Sequence, residues 1–571
     1  MKKSIWLLCL LALGAVKATA QEQDETDNGK VSVTGSIQSD ILIPQEDLKI
    51  GSPKYKDKVL TNSFLDLNLI SKNVDAGARF EFLRFPLPGF EKDYKGYGVP
   101  YFYLKGKFEK LEITLGSYYE QFGSGFILRT YEERSLGIDN SLLGARVVYK
   151  PYKGIVMKAI TGEQRRYWAH NDSWINGADL ELNLGEWFSG LQKSDTRIML
   201  GGSFVNKYEN NKDDNIMVDR THKLNLPQNV NAWDARIQLQ KGGFNVLAEY
   251  AEKTQDPSFT NGYIYRKGNV AMLSASYSQR GMSVLLQAKR SNDMAFKSDR
   301  NSIGVSSYIN HLPAFTQDQT YALAAFYPYA TRPDGEWAYQ AQLGYKFKRK
   351  TFLGGPYGMN VKVNFSHVHA IDKHTNLAGS IDNATVKGSK GLFCINWYWG
   401  CSSKGYGSAF FKWGDQTYYQ DLNIQLERKI SKTFKLNLMY MNQFYNKTVV
   451  EGEGGMIHSD IFVADGKYTF SPKVNLRGEV QYLSTKEDQG NWWFGLLELA
   501  IVPRWMFTIS DMYNSGDSKL HYYQGFVTFN AGAHRLQLGY GRTRAGFNCS
   551  GGVCRYIPAS KGVTVSYNYN F

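Results

Sequence analysis

One run of the chain mixes fixed charges with apolar residues in a way that could build a constriction inside a pore. Residues 119–140 read YEQFGSGFILRTYEERSLGIDN. If this run folds into a water-filled lumen, its apolar residues would pack on the wall, its charges would set ion preference, and Gly123 and Gly125 would allow sharp turns. The candidate constriction residues are Glu120, Arg129, Glu132, Glu133, Arg134 and Asp139. The alternative is a self-packed extracellular cap that plays no part in permeation.

Four cysteines beyond the N-terminal region could form disulfides. Cys394 and Cys401 lie seven residues apart, and Cys549 and Cys554 lie five apart, both in stretches rich in Gly and Ser. Two local bridges, Cys394–Cys401 and Cys549–Cys554, are the simplest of the possible connectivities. A zinc site of four thiolates is the alternative, but the spacing is not C-x2-C and the expected compartment is oxidising.

Three histidines lie close enough in sequence to suggest zinc or copper binding. His367 and His369 share one face of a predicted strand, and His374 follows in the next connection. Two histidines on one strand face are more often polar lumen residues, so we expect no metal site. There is no G-x-S-x-G motif and no local Ser–His–acid group, so we expect neither an enzyme nor a cofactor.

The last ten residues, GVTVSYNYNF, indicate the kind of element that must position these side chains. Apolar or aromatic residues alternate with small polar ones, which predicts a β-strand with one apolar face. The alternating residues are Val563, Val565, Tyr567, Tyr569 and Phe571. A chain that ends on the apolar face of a strand is typical of a transmembrane β-barrel, whose last strand closes the barrel and faces lipid. The pattern therefore predicts a protein of the bacterial outer membrane.

The N-terminus agrees with export. Lys2 and Lys3 precede an apolar run over 5–16 that is too short to span a membrane, and Ala18-Thr19-Ala20 is an A-x-A cleavage site. We expect a signal peptide over 1–20 with cleavage near Ala20, a flexible periplasmic lead over 21–30, and an integral outer-membrane barrel over 31–571.

The composition fits such a barrel. Mean hydropathy is −0.41, yet aromatic residues make up 14% of the chain, which has 55 Gly and 15 Pro. Strand alternation dilutes hydropathy, while aromatic girdles raise the share of Tyr and Trp. The formal charge of +14 points to outer-membrane lipid and lipopolysaccharide as partners rather than nucleic acid. The barrel-assembly machinery is a further expected partner.

Alternating segments recur from Val31 to the end, and the connections between them are alternately very short and long. Transmembrane barrels have short periplasmic turns and longer extracellular loops. Pairing the segments at each short turn predicts an all-β fold with one antiparallel barrel of about 24 strands, with about 22 or 26 as neighbouring values, and no plug domain. The stretch 319–329 is assigned to a loop.

The polar phase of each strand should face the lumen. In the segment 233–240, Trp233, Ala235, Ile237 and Leu239 should face lipid, and the residues between them should face inward. The candidate lumen residues of the whole chain are Arg79, Glu81, Arg146, Asp234, Arg236, Arg477 and Glu479. Both signs of charge recur on this face, which favours ion pairs that brace a wide barrel over a substrate path.

The run YEQFGSG…YEER…DN, with GEQRR at 162–166 and GADLE at 177–181, resembles an uncharacterised family of large Bacteroidota outer-membrane β-barrel proteins. The resemblance lies in the N-terminal part of the chain. It implies a single large barrel without a plug, and it supplies no established activity and therefore no catalytic residues.

We expect a passive, porin-like channel for small polar solutes, in which lumen charge and the run 119–140 select what passes. The alternative is a structural or assembly barrel that is plugged by its own loops and serves a surface lipoprotein or a secretion partner. The long connections 206–231, 291–336 and 370–408 favour this alternative. An enzyme at the barrel rim is a third possibility.

Overall fold

The chain folds into a closed antiparallel β-barrel. The computed structural model describes residues 31–210, 216, 223–375, 386–387 and 405–571. Within them, 24 strands form one sheet, and the last strand pairs with both the preceding strand and the first one. The predicted all-β barrel of 24 strands is therefore confirmed, and the described residues contain no separate plug domain. The predicted signal peptide and periplasmic lead lie outside the described residues.

The barrel strands are numbered here in chain order. They are β1 (Ser32–Pro44), β2 (Leu60–Ile70), β3 (Val74–Phe85), β4 (Gly96–Lys107), β5 (Leu111–Tyr118), β6 (Leu142–Tyr149), β7 (Ile155–Arg166), β8 (Ala169–Asn183), β9 (Thr196–Glu209), β10 (Asn229–Lys241), β11 (Phe244–Lys253) and β12 (Gly268–Gln279). The second half contains β13 (Met282–Asn292), β14 (Gly335–Phe347), β15 (Met359–Ile371), β16 (Trp413–Lys429), β17 (Phe434–Asn446), β18 (Met456–Ser471), β19 (Val474–Ser484), β20 (Trp492–Ile501), β21 (Trp505–Asn514), β22 (His521–Ala531), β23 (His534–Thr543) and β24 (Ser560–Asn570).

The remaining elements are short. The helices are α1 (Ser189–Lys193) and α2 (Lys447–Glu451), with 3-10 turns at Leu48–Ile50, Lys92–Tyr94, Leu184–Glu186 and Phe259–Asn261. Small ladders pair Glu132–Glu133 with Ile138–Asp139, Lys223–Leu224 with Val386–Lys387, His374–Thr375 with Tyr406–Gly407, and Gly546–Ser550 with Val553–Ile557. In the part of the chain that the structure describes, no helix has the length and apolar character needed to cross a membrane.

The alternation of side chains separates the two faces of the wall. On β10, Trp233, Ile237 and Leu239 are each more than 40% exposed on the outside, whereas Asp234 between them is buried on the inside. Side chains of successive strand residues point to opposite faces, so a period of two in the sequence becomes an apolar exterior and a polar lumen. An apolar exterior of this kind is what lipid covers in a transmembrane barrel.

His367 and His369 correct one expectation, because they do not line the lumen. They lie on the same face of β15 as the exposed Phe365, while Asn364 on the other face donates a hydrogen bond to the lumen residue Asp421. His369 packs beside Trp413, with ring centroids 4.6 Å apart. Strand spacing showed that the two histidines share a face but not which face. Among the described residues, no cluster of His, Cys, Asp or Glu is arranged to hold a metal ion.

The connections differ at the two ends of the barrel. At one end, most strands are joined by tight turns, such as 71–73 between β2 and β3 and 242–243 between β10 and β11. An even number of strands puts both termini at this same end. Because outer-membrane barrels have their short turns on the periplasmic side, it is named the periplasmic end here. The longer connections lie at the extracellular end. The connection between β7 and β8 is an exception, because it consists only of Tyr167 and Trp168.

Two extracellular connections fold back into the lumen. The first inner connection comprises residues 119–141 between β5 and β6, and the second comprises residues 293–334 between β13 and β14. Together with the inward side chains of the wall they form one apolar core inside the barrel. The stretch 319–329, assigned to a loop from the sequence, is indeed without strand structure, but its aromatic residues bury it inside the lumen.

Candidate functional site: the inner connections and the extracellular cavity

The first inner connection is held against the wall by apolar side chains. Phe122, Phe126, Ile127 and Leu128 are completely buried. Gly123 and Gly125 have positive φ values of 50° and 93°, which glycine adopts at low cost. A Cβ on Gly123 would lie 2.5 Å from Oε1 of Glu249. The tight turn lets the amide and the hydroxyl of Ser124 donate hydrogen bonds to this carboxylate on β11.

A network of buried charges joins the same connection to β2, β3 and β7. Arg79 lies 2.9 Å from Glu132 and 3.1 Å from Asp139, and it also pairs with Asp66 on β2 at 2.7 Å. The pairs Arg165–Glu81 (2.7 Å), Arg165–Asp139 (2.5 Å), Arg134–Asp66 (2.8 Å) and Arg134–Glu132 (2.5 Å) complete the network. Each charge has a close counter-charge, which is the condition under which burial of ions is tolerated. Burial raises the pKa of Glu132, although Arg79 and Arg134 act in the opposite direction.

Three of the candidate constriction residues lie outside this network. Glu120 pairs with Arg146 on β6 at 2.6 Å, and Arg146 in turn pairs with Glu112 at 2.6 Å. Glu133 accepts a hydrogen bond from the hydroxyl of Ser135 at 2.7 Å. Arg129 stacks over the ring of Tyr131 at 4.8 Å and forms no ion pair with the described residues. The structure therefore does not bring all six charges together at one constriction.

The other candidate lumen residues form ion pairs along the wall. Arg236 on β10 contacts Asp234 at 2.9 Å, Asp179 at 2.6 Å and Glu181 at 2.9 Å. On the far side of the barrel, Arg477 pairs with Asp465 at 3.1 Å and with Glu479. Arg236 reaches Asp179 and Glu181 on β8 across the intervening strand β9, and Arg477 on β19 reaches Asp465 on the neighbouring strand β18. Both groups therefore link strands of the wall, as bracing contacts would.

The second inner connection crosses the lumen. It begins beside β13, where Met294 and Phe296 are completely buried. Farther along, the amide of Leu323 donates to Gln481 on β19 at 2.8 Å, and Gln443 on β17 donates to the carbonyl of Tyr327 at 3.0 Å. These contacts hold a stretch without regular structure against β17 and β19. Gln164 on β7, on the opposite side of the barrel, donates to the carbonyl of Tyr308 of the same connection at 2.7 Å.

The two inner connections are joined to each other by hydrogen bonds. The amide of Arg129 donates to the carbonyl of Ile309 at 2.7 Å, and the amide of His311 donates to the carbonyl of Gly125 at 2.9 Å. Asn310 donates to the carbonyl of Phe126 at 3.0 Å. These hydrogen bonds satisfy part of each backbone inside the barrel and join the two connections into one inner plug.

Buried ion pairs that the sequence did not indicate anchor this plug. Lys289 on β13 and Glu336 on β14 lie 2.9 Å apart, and neither side chain is exposed. Arg300 of the second inner connection pairs with Glu209 on β9 at 3.1 Å. The carboxylate of Asp256 lies 3.0 Å from the ammonium of Lys207 and 3.3 Å from that of Lys253. Burial raises the pKa of Asp256, but the two lysines lower it by more, so its pKa lies below the usual value.

The burial of inward charges changes along the barrel axis. Near the periplasmic turns, inward side chains are open to solvent, with 31% exposure for Glu112, 32% for Arg477 and 46% for Lys435. Near the extracellular ends of their strands, Lys207 and Lys253 are not exposed at all. The lumen is thus an open chamber on the periplasmic side and is filled by the inner plug on the extracellular side.

A disulfide-bonded hairpin covers part of the plug. Cys549 and Cys554 face each other across the ladder Gly546–Ser550/Val553–Ile557 and are bridged, with their Cα atoms 4.1 Å apart. The hairpin carbonyl of Gly552 accepts a hydrogen bond from the amide of Thr331 at 2.9 Å. Arg555 donates to the carbonyl of Ser135 at 3.0 Å. The hairpin therefore contacts both inner connections. The predicted Cys394–Cys401 bridge lies outside the described residues.

Two cavities lie on either side of the plug. The extracellular cavity has a volume of about 780 Å³ and lies between the second inner connection, the β11–β12 connection and the disulfide hairpin. A second cavity of about 560 Å³ opens on the periplasmic side, among the inward residues of β1 to β6. Ligand pockets typically have volumes of this order.

The family model described as "Family of unknown function (DUF6029)" matches residues 1–571. The chain belongs to this family. The expectation of a family without an established function is confirmed, and the match extends over the whole chain rather than its N-terminal part alone. No curated protein matches the sequence.

Among solved structures, this DUF6029 protein is similar to several outer-membrane barrels. The translocation pore of the P pilus usher PapC is 10% identical, with a TM-score of 0.41 over 95% of this chain and 99% of that one. The siderophore receptor PirA from Pseudomonas aeruginosa is 10% identical, with a TM-score of 0.39 over 96% and 81%. OccAB4 from Acinetobacter baumannii is 10% identical, with a TM-score of 0.33 over 86% and 100%. These likenesses say nothing about what this chain binds or transports.

Proposed function

We propose that this protein is an integral outer-membrane barrel that its own inner plug closes to passive diffusion in the resting state. It reaches the membrane after cleavage of the signal peptide near Ala20, and it works through its closed extracellular face, where a surface lipoprotein or a secretion partner docks. The apolar exterior of the wall and the aromatic closing strand support the membrane assignment.

The observation that carries the proposal is the burial of inward charges at the extracellular end. Lys289, Glu336 and Arg300 line or enter the lumen and are completely inaccessible to solvent. An ion-conducting path needs water beside such groups, because moving an ion through a dry protein interior costs many kcal/mol. Buried and paired charges of this kind support a closed plug rather than a hydrated constriction.

A passive channel for small polar solutes is the second candidate. The open periplasmic chamber favours it, since exposed side chains of both signs, such as Glu112, Arg477 and Lys435, line its wall. In that case the first inner connection would act as the selectivity element, with Arg129 and Arg134 near the solute path.

Recording in planar lipid bilayers separates the two functions. The intact protein is expected to lack a steady open state, because the plug fills the extracellular half of the lumen. A variant in which residues 314–330 are replaced by Gly and Ser at the same length should open a large, steady conductance. Equal-length replacement keeps the connection while removing the buried aromatic residues, and a heat-modifiable band on gels would verify that the barrel has folded.

The matched control changes charges that do not contact the plug. Lys49 and Lys58 are exposed at the extracellular rim, so the variant with both residues changed to Ala should show no steady conductance, like the intact protein. A steady conductance of the intact protein that equals the conductance of the plug variant would contradict closure and favour the passive channel. Co-purification from membranes would then test whether a surface partner exists.

A further inference from the structure

We propose that the extracellular cavity is a binding site for a small uncharged saccharide. The site is independent of whether the lumen conducts, because the cavity lies above the inner plug, on the extracellular side.

The first observation is the shape and chemistry of the walls. The cavity of about 780 Å³ has aromatic side chains around it, among them Tyr131, Phe259 and Tyr308. Sites for small molecules are lined mainly by apolar and aromatic groups, with a few polar groups that fix orientation. The C–H faces of a sugar ring pack on such walls, while its hydroxyl groups need donors and acceptors close by.

The second observation is a pair of polar side chains at the cavity without protein partners. His311 lines the cavity, is 6% exposed, and makes no side-chain hydrogen bond with the described residues. The hydroxyl of Thr331, also at the cavity, is buried and has no hydrogen-bond partner. Buried polar groups nearly always have partners, so the Thr331 hydroxyl points to a ligand that supplies a hydroxyl group, and the unpaired His311 ring beside the cavity can bind the same ligand.

The third observation concerns charge. The charged residues that line the cavity are two acids, Asp293 and Asp334, and two bases, Arg332 and Lys373. Asp334 pairs with Arg332 at 3.3 Å and with Lys373 at 3.0 Å. Burial lowers the pKa of His311 to about 3, with Arg129 and Lys289 contributing, so its imidazole is neutral. A balanced set of charges beside a neutral imidazole favours an uncharged ligand over an ion.

A neutral imidazole also matches the hydrogen-bonding groups of the proposed ligand. One ring nitrogen donates a hydrogen bond and the other accepts one. A sugar hydroxyl does both as well, so a ring nitrogen of His311 and the Thr331 hydroxyl can each pair with a hydroxyl group of the ligand. The Tyr131 ring lies edge-on to the imidazole, with centroids 6.1 Å apart, and limits its orientation.

The test is calorimetric titration of the full chain with maltotriose, cellotriose and triacetylchitotriose, and with trigalacturonic acid as the anionic counterpart. The detergent must be lauryldimethylamine oxide, because maltoside and glucoside detergents carry sugar headgroups that would occupy the site. At least one neutral trisaccharide is expected to bind. His311→Leu and Thr331→Val should each weaken that binding by up to about tenfold, the value of one hydrogen bond.

The controls make the same changes away from the cavity. His521→Leu alters an exposed histidine on β22, and Thr316→Val alters a threonine of the second inner connection that does not line the cavity. Both should bind like the unchanged protein. Failure of all three neutral sugars to bind would overturn the proposal, as would binding of the acidic sugar alone. Equal loss of binding in the controls and the cavity variants would also overturn it.

Discussion

The ammonium of Lys289 lies 2.9 Å from the carboxylate of Glu336, and neither side chain is exposed to solvent. Lys289 is on β13 and Glu336 is on β14, the two strands that the second inner connection joins. Tyr329 of the same connection donates a hydrogen bond to Glu336 at 2.5 Å. The pair therefore couples both wall strands to the C-terminal part of the second inner connection. A buried ion pair becomes costly when one partner is removed, because the other charge is left without compensation.

The first prediction follows from this pair. Lys289→Met should destabilise the protein by about 3–5 kcal/mol, since Glu336 would stay buried without its counter-charge. The double variant Lys289→Met/Glu336→Gln should recover much of this loss, because no charge remains buried and Gln can still accept from Tyr329. Urea unfolding in lipid vesicles measures both. A double variant no more stable than the single one would mean that the pair itself stabilises the fold.

The second prediction concerns the seam of the barrel. The backbone of Phe571 exchanges hydrogen bonds with Gly35 at 2.8 and 3.0 Å, and a Cβ on Gly35 would lie 2.5 Å from the Phe571 ring. Deleting Phe571 should reduce folded protein in the membrane without changing export, and Gly35→Ala should do so more weakly. Gly525→Ala is the matched control, since a Cβ there meets nothing within 4 Å. Normal levels of the deletion variant would count against closure by this contact.

The third prediction concerns the disulfides. Non-reducing mass spectrometry should find the peptides that contain Cys549 and Cys554 joined, and we also expect a Cys394–Cys401 link. Closing a loop this short stabilises by about 2 kcal/mol in the chain-entropy model. Cys549→Ser should therefore speed hydrogen exchange in 546–557 and at Thr331, whose amide donates to the hairpin. Free thiols at both hairpin positions in the native protein would refute the bridge.

The fourth prediction concerns pH. Burial lowers the pKa of His311 to about 3, so the plug keeps this side chain neutral while an opened plug would protonate it below about 6.5. The opened form thus binds the extra proton, and plug closure loses stability as the pH falls from about 6.5 toward 3. Burial raises the pKa of Asp293 to about 6, although Lys253 opposes this. Asp293 therefore takes up a proton more readily in the closed plug, and this stabilises closure as the pH falls from about 6 to about 4.

Comparison with the variant His311→Leu separates the contribution of His311 from that of Asp293, which is the same in both proteins. Between pH 7 and pH 5, His311→Leu should gain about 2 kcal/mol of plug stability relative to the unchanged protein, because it has no proton to take up on opening. Hydrogen exchange over 294–312 measures the opening free energy directly. A difference between the two proteins that does not change with pH would show that His311 is protonated equally in both states.

The sequence by itself determined the parts of this protein that depend on local periodicity. Alternation with a period of two predicted the strands, their two faces and their number, because neighbouring side chains on a strand must point to opposite sides. The last residues, from Val563 to Phe571, predicted a closing strand for the same reason. The mixed run 119–140 suggested an inner connection, since apolar groups and fixed charges both lie in it.

Only the tertiary structure decided what fills the lumen. The aromatic residues of 319–329 had no periodicity, so the sequence could not distinguish an exposed loop from one buried against Gln443 and Gln481. Lys207 and Asp256 are 49 residues apart, and a lysine near a strand end usually indicates a solvated surface. Period two also left open which face of β15 carries His367. These features depend on contacts between segments distant in sequence, which no local pattern encodes.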